Sequence, residues 1–108
     1  MLARLVVGSH PLTYPLLRLA PKRPGFASNR EKMVAKDTDI CIDGFPHSGN
    51  TFFTRLVSYW NPDLKIARHM HVPEQIKRAV ALGIPTLVLI RRPEQALTSI
   101  LYRYPDLH

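Results

Sequence analysis

The stretch GFPHSGNT, Gly44 to Thr51, separates two glycines by four residues and places hydroxyls at Ser48 and Thr51. Such a turn between a strand and a helix aims backbone N–H groups and the positive helix end at one point, where a phosphate can sit. The spacing is that of a phosphate-binding loop, but Asn50 stands where a triphosphate-hydrolysing loop carries a lysine for the β and γ phosphates. A magnesium-dependent kinase or NTPase with a degenerate loop therefore loses ground to a nucleotide with another phosphate layout. A tight strand-to-helix turn without a ligand is the plain structural alternative.

Two further groups could do chemistry. In LVLIRRPEQALTS, Arg91 ends an apolar run and Ser99 falls about two turns into the next helix, so both could meet a phosphate over the carboxyl edge of a sheet. In ARHMHVP, His69 and His71 lie two residues apart on the same side of an extended segment. Histidine suits proton transfer at neutral pH because its unperturbed pKa is about 6.5. No Asp, Glu or Cys at ligand spacing accompanies the pair, so no metal is expected.

These residues need elements to position them. DICIDGF is an apolar run closed by Gly44 and reads as a buried strand. NTFFTRLVSYW follows as a helix with Phe52, Phe53, Leu56, Val57 and Trp60 on a core-facing side, stopped at Asn61-Pro62. LKIARHMHV alternates as a short extended segment, and Pro73 opens a helix that Gly83 closes. IPTLVLI reads as a strand buried on both faces. Pro93 opens a last helix with Ala96, Leu97, Ile100, Leu101 and Tyr104 on one side. Alternating strands and helices predict an α/β fold, a parallel sheet flanked by helices.

With 108 residues, 45% of them hydrophobic, the chain can form one small core, placed at residues 37–108. Residues 1–36 carry Pro11, Pro15, Pro21 and Pro24, and their Arg4, Arg18, Lys22, Arg23, Arg30, Lys32 and Lys36 are opposed only by Glu31. They read as a basic, proline-containing extension outside the core. A net charge of +7 and a pI of 10.1 favour an anionic partner: a nucleotide with several phosphates, a lipid surface or nucleic acid. The single cysteine, Cys41, excludes a disulfide within the chain and suits a reducing compartment. No apolar stretch approaches the roughly 18 residues of a membrane span, so a cytoplasmic protein is expected. The Arg-rich, acid-poor start is also compatible with organelle targeting. His10 and His108 are expected to face solvent.

GFPHSGNTFF resembles the 5′-phosphosulfate loop of sulfotransferases that use 3′-phosphoadenosine 5′-phosphosulfate (PAPS), whose loop runs along the lines of Y-P-[KR]-S-G-[TN]-T. Arg91, Pro93 and Ser99 are similar to that family's 3′-phosphate motif, and His71-Val72-Pro73 resembles the H-x-P of its catalytic K-T-H-x-P segment. The resemblance implies a P-loop NTPase-like, three-layer α/β/α sulfotransferase fold. It implies donor binding by Pro46, His47, Ser48, Gly49, Asn50 and Thr51, with Arg91 and Ser99 on the 3′-phosphate. It also implies His71 as general base, His69 as auxiliary donor or alternative base, and His47, in the family's lysine or arginine position, as a donor that is best when protonated. No metal is implied. The acceptor would be a hydroxyl or amine of a small molecule or glycan, with no specific nucleic-acid partner.

The resemblance runs from about Asp39 to Tyr104, roughly the first third of such a domain, so a truncated fold is expected. A sheet of three strands would leave apolar edges and faces exposed. An inactive fragment of such a domain, or a basic module using residues 1–36 on nucleic acid or anionic lipid, is the non-enzymatic alternative.

Overall fold

Each apolar run becomes a short strand in the computed structural model, which describes residues 9–22 and 24–103. β1 spans Ile40–Gly44, β2 Ile66–Arg68 and β3 Thr86–Leu89. The sheet order is β2-β1-β3, and β1 pairs parallel with both neighbours. Its register sets Cys41 beside Ala67 and Thr86, and Gly44 beside Leu89. Glycine at 44 has a steric reason: a Cβ there would collide with the Leu89 carbonyl oxygen. Only a hydrogen side chain lets the β1–β3 pairing run to the residue where the loop begins.

Among the described residues four α-helices accompany the strands: α1 (Asn29–Lys32), α2 (Asn50–Trp60), α3 (Pro73–Ala81) and α4 (Pro93–Arg103). Proline opens α3 and α4, where its missing N–H costs no helical hydrogen bond. Beyond α3 the chain turns at Gly83, whose φ of 71° is left-handed. Successive residues of β1 face opposite sides of the sheet. Cys41 packs with Ala67, Ile84 and Ala79 of α3, whereas Ile42 packs with Ile66, Leu89 and the partly buried Val57 of α2. The two helices thus lie on opposite faces.

The described part of residues 1–36 is not outside the core. A 3-10 helix, Tyr14–Leu19, buries Tyr14 and Leu17, which cluster with Met33, Met70 and Val72. Gln75 fastens this segment to α3. Its Oε1 accepts from the Tyr14 hydroxyl and from the Val34 N–H (2.9 Å), and its Nε2 donates to the Lys32 carbonyl (2.8 Å). Asn29 Nδ2 donates to the Leu17 carbonyl (2.7 Å), and the Arg78 guanidinium lies 4.6 Å from the Tyr14 ring centroid. Four prolines forbid a long helix, but one 3-10 turn suffices to set Tyr14 and Leu17 on a common side. Arg4, Arg23 and His108 lie outside the described residues, and His10 is exposed as expected.

The opposite face corrects two other expectations. On α2 the buried side chains are Asn50 and Thr54, while Phe52, Phe53, Leu56 and Trp60 are exposed, Trp60 by 87%. Of its apolar side only Val57 packs on the sheet, and no element of the described chain covers the rest. IPTLVLI is not buried on both faces, because little of the described chain lies over Val88 and Ile90, which are 45% and 89% exposed. α4 buries Ala96 and Ile100 but leaves Leu97 and Leu101 partly exposed, and Tyr104 lies outside the described residues. Exposed apolar surface is what a three-stranded sheet predicts. Among the described residues no helix is long and apolar enough to cross a membrane.

Candidate functional site

Parallel strands end on one edge, so the segments after β1, β2 and β3 meet there. This is the edge where open α/β sheets bind ligands. The loop after β1 turns through His47 (φ 62°) and Gly49 (φ 92°), and Gly49 begins α2 without a side-chain cap. Arg91, after β3, donates from Nη1 to the His47 carbonyl (3.0 Å), and the His47 Nδ1 lies 2.8 Å from the Ser99 hydroxyl of α4. The loop and the Arg91/Ser99 pair, far apart in sequence, are thereby one cluster.

Within the loop, Asn50 has a structural task. Its buried side chain donates from Nδ2 to the Phe45 carbonyl (3.1 Å), tying the helix start to the loop start. The residue that replaces lysine therefore closes the loop instead of reaching outward. Ser48 Oγ and Asn50 Oδ1 are buried and have no hydrogen-bond partner among the described residues. Buried polar atoms are rarely left unpaired, and Ser48 Oγ beside an uncapped helix start is placed as a ligand donor would be. Thr51 is exposed in the first turn of α2, and Pro46 is partly buried in the loop.

The histidine pair differs from its sequence reading. β2 ends at Arg68, and both His69 (φ 53°) and His71 (φ 56°) are left-handed, so the segment is a kinked turn around the buried Met70, not an extended one. The rings still approach, their centroids 5.9 Å apart at 71°. What holds the turn is Asp43, which sequence reasoning missed. Its buried carboxylate accepts from the N–H groups of Met70 (3.0 Å), His71 (3.1 Å) and Gly44 (2.9 Å). The signal was available: a carboxylate inside the apolar run ICIDG must find donors, since an unpaired buried charge is very costly.

This turn also sets the state of His71. Its Nδ1 lies 2.8 Å from the Gly44 carbonyl and 3.5 Å from Asp43 Oδ1. A carbonyl can only accept, so Nδ1 carries a proton, and whenever the ring is neutral its lone pair is on Nε2. Burial, with a smaller contribution from the neighbouring His71, lowers the pKa of His69. Desolvation, then the charges of Arg103, Arg91 and His71, lowers that of His47. Both shifts favour the neutral ring, and a bound anion beside His47 would act in the opposite direction.

The remaining chemistry is quiet. Burial, aided by the charge of Asp43, pushes the Cys41 thiol up to about 12, leaving it an unreactive core side chain. Among the described residues no group of three or more His, Cys, Asp or Glu is arranged to hold a metal. An open depression of about 440 Å³ adjoins the cluster, lined by Arg91, Glu94, Gln95, Thr98, Ser99 and Tyr102. No protein-family model matches the chain, no curated protein matches it, and no solved structure matches its fold. Function has to be read from these side chains and their placement.

Proposed function

We propose that the chain is a sulfotransferase-like domain of P-loop α/β type that binds PAPS at the carboxyl edge of its sheet. One observation carries this reading: the loop Gly44–Thr51 and the pair Arg91/Ser99 meet at His47, through contacts of 3.0 and 2.8 Å. Either motif alone would be a weak pointer. Their junction gives a bis-anionic ligand two grips, one following each of the paired strands β1 and β3. The unpartnered Ser48 Oγ, the uncapped start of α2 and the Arg91 guanidinium fit the two phosphate groups of the donor.

In this reading Ser48, Gly49 and Thr51 hold the 5′-phosphosulfate, with Pro46 shaping the loop and Asn50 closing it. Arg91 and Ser99 hold the 3′-phosphate, and Ser99 exchanges its contact with His47 for the ligand. The donor supplies an activated sulfuryl group; its sulfur–oxygen bond to the 5′-phosphate breaks as a bond to the acceptor oxygen forms. His71 takes the acceptor proton at Nε2, because Nδ1–H is committed to the Gly44 carbonyl. Asp43 positions the base by fixing the backbone N–H of His71. His69, whose pKa burial lowers, serves as auxiliary donor or alternative base.

A kinase or NTPase role finds no support in the loop, since Asn50 is buried and bonded to Phe45. Calorimetric titration with adenosine 3′,5′-bisphosphate, alongside ATP with magnesium, tests the reading in wild type and Arg91→Ala. Binding of the bisphosphate alone, weakened about tenfold or more by the substitution, is expected from loss of a charge-assisted contact. A folded chain that binds neither nucleotide, or binds ATP better, contradicts it.

A further inference from the structure

We propose that the segment between Pro11 and Lys36 is a docking surface for the face of an anionic lipid bilayer. In a 3-10 helix residues three apart stand in one row. Tyr14 and Leu17 form the inner row and are buried, which leaves Leu16 and Leu19 on another row, 54% and 73% exposed. Leu12, at 80%, and Phe26, at 67%, add to the same short stretch. Single exposed leucines are ordinary, but four large apolar side chains between positions 12 and 26 are not.

Cations are interleaved with them. Arg18, Lys22, Arg30 and Lys36 are exposed, and Glu31 is the only acidic residue before Asp37. Arg18 and Arg30 converge with Met33, Val34 and Ala35 on a recess of about 220 Å³, a concave cationic spot in the same segment. Apolar side chains that insert at the interface, flanked by arginine and lysine that meet acidic headgroups, form the surface an anionic bilayer selects. Nucleic acid would use the cations but has no place for Leu12, Leu16 and Leu19. The patch cannot hide by refolding inward, because its other side is fastened to α3 through Gln75.

Sedimentation of the full chain with vesicles tests this, comparing phosphatidylcholine alone with phosphatidylcholine mixed with phosphatidylserine. The chain is expected to sediment with the mixed vesicles and not with the neutral ones. The pairs Leu16→Ser/Leu19→Ser and Arg18→Ala/Arg30→Ala should each weaken partitioning about tenfold or more. All four positions are exposed, so both variants should keep the wild-type thermal melt; if the leucine pair does not, Leu12→Ser/Phe26→Ser replaces it. Three results overturn the proposal: no sedimentation with mixed vesicles, full binding by a folded leucine variant, or tighter binding to an oligonucleotide than to vesicles.

Discussion

The two faces of the sheet are built from helices of similar amphipathic pattern and end up differently. On one face α3 buries Glu74, Gln75 and Ala79, and the Tyr14–Met33 segment closes over its first turns. On the other, α2 buries only Asn50 and Thr54 and shows its aromatic side to solvent. The first face is finished by the chain itself. The buried positions of the second are polar: Asn50 closes the loop through the Phe45 carbonyl, and neither it nor Thr54 adds much apolar burial. Stability and the candidate site are therefore carried by different sides of the molecule.

Substitutions can break this contrast, and the largest effect should come from the finished face. Tyr14→Ala removes a buried ring, its hydroxyl bond to Gln75 and its contact with Arg78, and should cost about 3–5 kcal/mol in denaturant unfolding. A loss below about 1 kcal/mol would mean that the N-terminal segment adds little to the fold. Next, Gly44→Ala pushes a methyl group against the Leu89 carbonyl and should cost about 1–3 kcal/mol. The same change should weaken nucleotide binding, because β1 and β3 each lead into one half of the site.

Acidification sharpens the contrast from the site side. The pKa values of His47 and His69 are lowered on folding, so the unfolded chain binds more protons below its ordinary histidine pKa. Stability should be unaffected by these groups above about pH 6.5 and fall as the pH drops below it, levelling once the folded values are passed. Denaturant midpoints measured across that range should show this, and His69→Asn, which keeps a residue tolerant of left-handed backbone, should flatten the slope. Smallest of all, Trp60→Ala on the open face should change stability by no more than about 0.5 kcal/mol. A much larger loss would mean that α2 is covered after all.

The parts legible in the sequence are those written in local punctuation. Gly44, Gly49, Pro73, Gly83 and Pro93 mark where strands end and helices start or stop, because each relieves a specific backbone constraint. The meeting of the loop with Arg91 and Ser99 was legible too, since parallel strands must end on one edge. The left-handed turn at His69 and His71 was not, because alternation in KIARHMHV fits a strand equally well until Asp43 is placed beneath it. Nor was the exposure of Phe52, Phe53, Leu56 and Trp60: periodicity identifies the apolar side of a helix but not whether anything covers it. The core role of Tyr14 and Leu17 was hidden by the surrounding prolines and charges.

The central claim is that the segments following β1 and β3 form one nucleotide site at the sheet edge. Amide NMR spectra recorded during titration with adenosine 3′,5′-bisphosphate test it most directly. The account predicts that resonances of Ser48 to Thr51 and of Arg91 to Ser99 shift together along one binding curve, while those of Arg18, Arg30 and the rest of the basic segment stay in place. Shifts confined to the basic segment, or separate curves for the two motifs, would contradict it.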